Sequence, residues 1–194
     1  MLTLYFSPGS SAMATHIALH EVGVPFERKL VSLSDKAQFT PEYRAINPEA
    51  KVPALVIDGR VLTEVAGTLY YLAKRYPEAR LWPEGGIEDE AQAISWMSFV
   101  AATIHPSRRA GDPRWKEAFG LAEQRLGGRE WTVGSRHSIA DIHLFRLYWR
   151  FVDALGPMPK EYPGLTAHYD RMMQRPAVQK TIEVESAIGY NLPR

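Results

Sequence analysis

The chain has 194 residues, of which 23 are basic, 22 are acidic and none is cysteine. The near balance of charge argues against binding to nucleic acid or to an anionic membrane, and the absence of cysteine excludes disulfides, thiolate metal ligands and any reaction through a protein thiol. With no run approaching the roughly 20 apolar residues of a membrane span and no signal-peptide pattern, we expect a soluble protein of the cytoplasm.

The chain opens with an apolar run over residues 2–6, which predicts a strand, and Pro8-Gly9 ends that strand in a turn. Ser10 and Ser11 follow, and apolar residues then recur at helical spacing as far as Gly23, a common helix stop. The two hydroxyls therefore lie at a helix N-terminus, whose unpaired N–H groups favour an anion such as a phosphate, a carboxylate or a thiolate. An ordinary serine cap is the structural alternative.

The next predicted elements alternate between strand and helix. Asp58-Gly59 joins two apolar runs and is a strong signal for a β-hairpin. Pro53 stands at the first residue of its strand, where a missing N–H is tolerated, and a cis bond to Val52 is possible. The elements are a strand over residues 26–33, a short helix over residues 41–46, a hairpin over residues 51–62 and a helix over residues 63–76.

The second half of the chain has helical patterns only. Residues 78–86 are rich in breakers and are interpreted as a linker. The box Ser138-Ile139-Ala140-Asp141 predicts a helix start, and Gly156-Pro157 predicts that helix's end. Further helices are predicted over residues 115–126, 165–174 and 177–186. One apolar face of the first long helix is predicted to consist of Ile87, Ala91, Ile94, Met97, Ala101 and Ile104.

Several motifs occur in an order that resembles the glutathione transferase superfamily. The resemblance implies a thioredoxin-like βαβαββα domain over residues 1–77, a linker over residues 78–86 and an all-helical domain over residues 87–194. Within the superfamily the chain resembles the bacterial beta class, through Pro-Gly-x-x-x-x-Ala-x-His at residues 8–16 and through Trp96 to His105. The motifs are Pro8-Gly9-Ser10-Ser11, Asn47-Pro48, Lys51-Val52-Pro53-Ala54-Leu55, Leu62-Thr63-Glu64 and Ser138-Ile139-Ala140-Asp141.

The resemblance also implies a glutathione site, and the chemistry of the tripeptide is consistent with it. Glu64 at a helix start would take the ammonium of the γ-glutamyl end, while the N–H of Val65 takes its carboxylate. The backbone of Val52, beside Pro53, would pair with the cysteinyl amide as a short added strand. A lysine would neutralise the glycine carboxylate. The implied contacts are Lys36, Lys51, Val52, Pro53, Glu64, Val65 and Ser98.

Two serines are candidates for activating the glutathione thiol, whose thiolate is the nucleophile. Ser11 matches the position of the beta-class cysteine, whereas Ser10 directly follows Pro-Gly, as in serine-type members of the superfamily. His105 matches a beta-class active-site histidine that hydrogen-bonds the thiol or guides a proton. The alternative is a structural histidine whose hydrogen bonds are satisfied at a domain interface. Val65 stands where many members have serine, and Ser98 where beta-class relatives have asparagine.

We therefore predict a glutathione transferase that adds the thiolate of glutathione, its co-substrate, to a small hydrophobic electrophile. The resemblance also implies a homodimer. A glutathione-dependent isomerase or dehalogenase is one alternative, and a non-catalytic glutathione-binding or scaffold protein is another. His16 and His20 lie one helical turn apart, but no third metal ligand is evident, so no metal is expected.

Overall fold

The computed structural model describes residues 1–108, 111–155 and 160–190. The predicted Gly156-Pro157 break and residues 191–194 of the tail lie outside this described part. The elements in chain order are β1 (Leu2–Phe6), α1 (Ala12–Val22), β2 (Phe26–Leu30), α2 (Pro41–Arg44), β3 (Ala54–Ile57), β4 (Arg60–Thr63), α3 (Val65–Arg75), α4 (Ile87–Phe99), α5 (His105–Ser107), α6 (Asp112–Leu126), α7 (Ile139–Leu155), α8 (Pro163–Met173) and α9 (Pro176–Ile188).

Contacts within the chain define two compact units. The first unit consists of Met1–Ala79 together with Pro176–Arg194, and the second consists of Arg80–Arg175. The last helix therefore groups by its contacts with the N-terminal elements, because α9 packs against α1. The division of the chain into domains at residues 77 and 87, which follows secondary-structure type, stays a prediction.

The first unit contains one four-stranded sheet in the order β2-β1-β3-β4. β1 runs parallel to β2 and antiparallel to β3, and its residues are buried almost throughout, as expected of a central strand. β2 ends at Leu30 and not at residue 33 as predicted. The reason is that β1 ends at Phe6, whose carbonyl accepts the last bond, from the N–H of Val31 at 2.7 Å.

Two turns in this unit depend on the left-handed backbone conformation. Gly23 has a φ of 68° and donates its N–H to the carbonyl of Leu19, which ends α1 where the sequence predicts. In the hairpin, Asp58 has a φ of 48° and Gly59 a φ of 85°. Successive positive φ values give a two-residue turn whose twist matches that of the flanking strands, so the predicted hairpin is confirmed.

The first long helix of the second unit changes its winding near its end. A π-helical turn over Val100–Ile104 follows α4 and leads directly into α5. Pro106, in α5, accounts for the change because its ring has no N–H and clashes with the carbonyl four residues earlier, a clash that the wider turn relieves.

The apolar face predicted for this helix is wrong in part. Ile87 and Ile94 are 72% and 58% exposed. Two apolar rows lie side by side on the helix, and periodicity alone does not say which one faces the core. Trp96, only 1% exposed, has the larger apolar area to bury, so its row is the internal one. The buried residues are Ala93, Trp96, Met97, Val100 and Ile104.

The capping box at the start of α7 is confirmed, and it is more extensive than the sequence suggests. The fully buried carboxylate of Asp141 accepts hydrogen bonds from the N–H groups of Ser138 and Thr132, both at 2.8 Å, and from Nε2 of His168 at 2.9 Å. Burial raises the pKa of Asp141, but the bonds from His168 and the two N–H groups outweigh burial and hold that pKa below its ordinary value. The charged form is therefore the stable one.

We expect Asp141→Ala to lower the free energy of unfolding by about 3 kcal/mol, because it leaves several buried donors unpaired. Urea unfolding at pH 7 measures this, with Asp170→Ala, an exposed position on α8, as the control. The folded pKa of Asp141 lies below the unfolded value near 3.8, so its stabilisation is present above that pH and is lost as the pH falls through the folded pKa. A loss at pH 7 equal to that of the control would contradict the assignment.

Candidate active site

The turn between β1 and α1 holds the two candidate serines in different environments. Ser10 is 5% exposed, and its Oγ accepts a hydrogen bond from the N–H of Ala12 at 3.2 Å, in the manner of a helix cap. Ser11 is half-buried and donates its hydroxyl proton to the carbonyl of Val52 at 3.1 Å. Of the two hydroxyls, that of Ser11 therefore contacts the second backbone segment of the predicted site.

That second segment is the loop before β3, which contains a cis bond between Val52 and Pro53. The loop is held through the carbonyl of Lys51, which accepts hydrogen bonds from Oη of Tyr43 at 2.6 Å and from Nδ2 of Asn47 at 2.8 Å. Burial raises the pKa of Tyr43 to about 12, so its hydroxyl remains a proton donor. The sequence analysis did not predict either hydrogen bond to the Lys51 carbonyl, although Asn47-Pro48 was one of the motifs that carried the resemblance.

The third segment is the start of α3, where Glu64 has a φ of 64° and a ψ of 131°. A residue with a side chain rarely adopts this conformation, and such strain is found where function requires it and surrounding contacts maintain it. The side chain of Glu64 is 69% exposed, whereas Val65 is buried. The site therefore presents a carboxylate to solvent at a helix N-terminus.

Two lysines predicted to bind the glycine carboxylate occupy different places. Nζ of Lys51 lies 3.0 Å from Glu49 and 4.0 Å from Glu64, so it adjoins the third segment. Lys36 is exposed at the start of a short 3₁₀ helix, Ala37–Phe39, and forms no ion pair with another described residue. Of these two lysines, Lys51 is the one that approaches another predicted site residue, Glu64, among the residues that the structure describes.

Ser98 and His105 belong to the second unit, and both are exposed. His105 is the first residue of α5, directly after the π-helical turn. Sequence reasoning missed His143 on α7, which is only 3% exposed and lies close enough to His105 to interact with its charge. Burial, together with the charges of Arg146 and His105, lowers the pKa of His143 to about 3, so His143 is neutral near pH 7.

A buried carboxylate from the last helix holds the serine turn in place. Oε2 of Glu185 accepts the N–H of Gly9 at 2.7 Å, and Oε1 lies 2.8 Å from Nδ1 of His16. Glu185 and His16 are fully buried. No sequence pattern pointed to Glu185, which lies 176 residues from Gly9.

Together, the sheet order β2-β1-β3-β4, the cis-proline loop before β3 and the helices packed on the sheet define a thioredoxin-like fold. Comparison with known families agrees. Residues 9–75 match the family model described as the N-terminal domain of glutathione S-transferase, and residues 93–176 match the model of its C-terminal domain. The chain belongs to the glutathione S-transferase family, so the family and fold predicted from the sequence are confirmed, and with them its assignment as a glutathione transferase.

Individual relatives are similar along nearly their whole length. The chain is 30% identical to glutathione S-transferase GstA of Escherichia coli O157:H7, over 95% of this chain and 98% of that protein. It is 32% identical to the solved bacterial beta class glutathione S-transferase of Sphingomonas chungbukensis, with a TM-score of 0.84 and coverage of 94% and 98%. A sphingomonad glutathione S-transferase solved in complex with glutathione is 31% identical, with a TM-score of 0.84 and coverage of 95% and 98%.

The described residues contain neither a candidate membrane-spanning helix nor a candidate metal-binding cluster. No helix there has the length and apolar character needed to cross a membrane. In the same part of the chain, no group of three or more histidine, aspartate or glutamate side chains is arranged to hold a metal ion.

We expect Glu185→Ala to lower the free energy of unfolding by about 3 kcal/mol, because it leaves the N–H of Gly9 and Nδ1 of His16 buried without a partner. Glu183→Ala is the matched control, since Glu183 lies on the same helix but is exposed and pairs only with Lys180. Chemical denaturation of the three proteins measures the difference. Equal stability of the two variants would show that the buried carboxylate does not hold the turn.

Proposed function

We propose that this glutathione transferase binds glutathione along the first unit and that Ser11 stabilises its thiolate for attack on small hydrophobic electrophiles. The observation that carries the proposal is the hydrogen bond from the Ser11 hydroxyl to the carbonyl of Val52 at 3.1 Å. An extended cysteinyl residue that pairs with Val52 as an added strand would bring its thiol close to that hydroxyl, which would then turn its one proton from the carbonyl of Val52 to the thiolate. Ser10 is a weaker candidate because it is only 5% exposed, which leaves a thiol little access to its hydroxyl.

The other contacts of glutathione follow from the charges around this loop. The exposed carboxylate of Glu64 takes the γ-glutamyl ammonium, and the N–H of Val65 takes the γ-glutamyl carboxylate at the positive end of α3. The ammonium of Lys51, 4.0 Å from Glu64, and that of the exposed Lys36 are cations for the glycine carboxylate. Pro53 shapes the edge on which the cysteinyl residue lies.

His105 and Ser98 belong to the second unit, and their proposed roles rest on the resemblance. The resemblance implies that His105 guides a proton or hydrogen-bonds the thiol and that Ser98 contacts glutathione. Both side chains are exposed, His105 on α5 and Ser98 on α4. The cytoplasm, where glutathione keeps thiols reduced, is the proposed compartment, and the chain has no cysteine that would need an oxidising one.

Ser11→Ala should abolish most of the thiolate stabilisation. The thiol of free glutathione has a pKa of about 8.5, and a lowering of about two pKa units corresponds to roughly 2.7 kcal/mol of thiolate stabilisation. Ultraviolet absorbance of bound glutathione as a function of pH measures the pKa in the wild type, in Ser11→Ala and in Ser10→Ala. We expect the pKa to return towards that of free glutathione in Ser11→Ala and to stay low in Ser10→Ala. The reverse result would make Ser10 the activator.

We also propose that two copies of the chain form a homodimer. Large apolar side chains on α4 and α6 support this, because Ile87, Ile94 and Leu121 are 72%, 58% and 46% exposed. Ile87 and Ile94 lie seven residues apart and so share one face of α4, and exposed apolar side chains on one face are typical of contacts between subunits. Ile87 and Ile94 belong to the row of α4 that was predicted, wrongly for these two residues, to face the core.

Sedimentation equilibrium should therefore give about twice the mass of one 21.9 kDa chain. Ile94→Glu should convert the protein to monomers without unfolding it, because the side chain is exposed and a charge at an apolar interface opposes association. Leu30→Glu is the control, since Leu30 is 53% exposed on the edge strand β2. A monomeric wild type, or an Ile94→Glu dimer as stable as the wild type, would contradict the proposal.

A further inference from the structure

Helices α1 and α3 meet through a pair of threonine hydroxyls inside the first unit. Thr15 and Thr68 are both fully buried, and their Oγ1 atoms lie 2.7 Å apart. Thr15 lies four residues after Ser11 at the start of α1, and Thr68 lies four residues after Glu64 at the start of α3. The pair therefore joins the first turns of the two helices that begin at the proposed site.

The direction of this hydrogen bond follows from a count of protons. A hydroxyl has one proton to donate, and that of Thr68 goes to the carbonyl of Val65 at 2.9 Å. In the contact between the two hydroxyls, Thr15 must then be the donor and Thr68 the acceptor. The result is a directed chain from Thr15 through Thr68 to the backbone of the residue after Glu64.

Thr68 holds the two successive carbonyl groups that begin at the strained position, those of Glu64 and Val65. Its N–H donates to the carbonyl of Glu64 at 3.0 Å, while its hydroxyl donates to the carbonyl of Val65. The backbone of Glu64 itself has a φ of 64°. Such a conformation persists only where neighbouring contacts over-determine it, and Thr68 supplies two of these contacts.

Packing alone does not require these hydroxyls. A valine has nearly the shape of a threonine and avoids the cost of burying a polar group, so an apolar pair would fill the same space. Two facing threonines in a fully buried place are therefore better explained by what the hydroxyl of Thr68 holds than by the volume it occupies.

We propose that Thr68, oriented by Thr15, is a positioning residue that sets Glu64 and the N–H of Val65 for the γ-glutamyl end of glutathione. The proposal rests on the proposed function for its ligand. It adds a source of specificity, because the hydroxyl chain acts on the γ-glutamyl end of the tripeptide and leaves the serine turn and the thiol untouched.

Steady-state kinetics with varied glutathione tests the proposal on two complementary variants. Thr68→Val keeps the shape and loses the hydroxyl, so we expect the KM for glutathione to rise about five- to tenfold with kcat at saturation nearly unchanged, a loss typical of one buried hydrogen bond. Thr68→Ser keeps the hydroxyl and loses a methyl group, so its KM should stay within about twofold of the wild type although its stability falls.

Two further proteins separate positioning from folding. Thr15→Val/Thr68→Val removes both hydroxyls and leaves neither without its partner, so it should fold about as stably as the wild type and still show the higher KM. Thr181→Val is the matched control, because Thr181 is also fully buried and donates to a helix carbonyl, that of Ala177, at 2.8 Å. Its KM should not change.

A double-mutant cycle with Glu64→Gln adds a measurement that a purely structural role would not affect. If Thr68 acts through Glu64, Thr68→Val should weaken glutathione binding less in the Glu64→Gln background than in the wild type. An unchanged KM in Thr68→Val, an equal rise in Thr181→Val or strictly additive losses would each overturn the positioning role. Failure of the wild type to bind glutathione would instead overturn the proposed function.

Discussion

The carboxylate of Glu185 is the interaction on which the arrangement of the first unit depends. It comes from α9, near the end of the chain, and binds the N–H of Gly9 and the ring of His16. A buried carboxylate is stable only where donors satisfy it, so the serine turn and the last helix have to form together. The segment that carries Ser10 and Ser11 therefore depends on both ends of the chain for its position.

Polar side chains also hold the backbone at the other two segments of the proposed site. The loop before Pro53 is held at the carbonyl of Lys51 by Tyr43 and Asn47, and the start of α3 is held by Thr68. In each case a polar side chain from elsewhere binds the backbone behind the surface that faces the ligand. Because a peptide ligand is recognised largely through backbone groups, holding those groups would prepare the proposed site before glutathione arrives.

The secondary structure and the motif positions could be predicted because they depend on local rules. A left-handed glycine ends α1, Asp58-Gly59 makes the hairpin turn, and Ser138 with Asp141 caps α7. The face of α4 could not be chosen, since its two apolar rows have the same helical period and only the packing of Trp96 decides between them. The π-helical turn before His105 also went unpredicted, although Pro106 is its physical cause.

For the site, the sequence by itself determined which chemical groups are available: two hydroxyls at a helix start, an acidic residue at another and no thiol. Only the tertiary structure decided that the hydroxyl of Ser10 caps its helix while that of Ser11 reaches Val52, and that Glu185, Asn47 and Thr68 hold the backbone around them. The physical reason is that the bonds from Ser11 to Val52 and from Gly9 to Glu185 join residues 41 and 176 positions apart, while the local bonds at Asn47 and Thr68 fix segments that only the fold brings beside them. Their geometry exists only once the sheet and its helices bring the segments together.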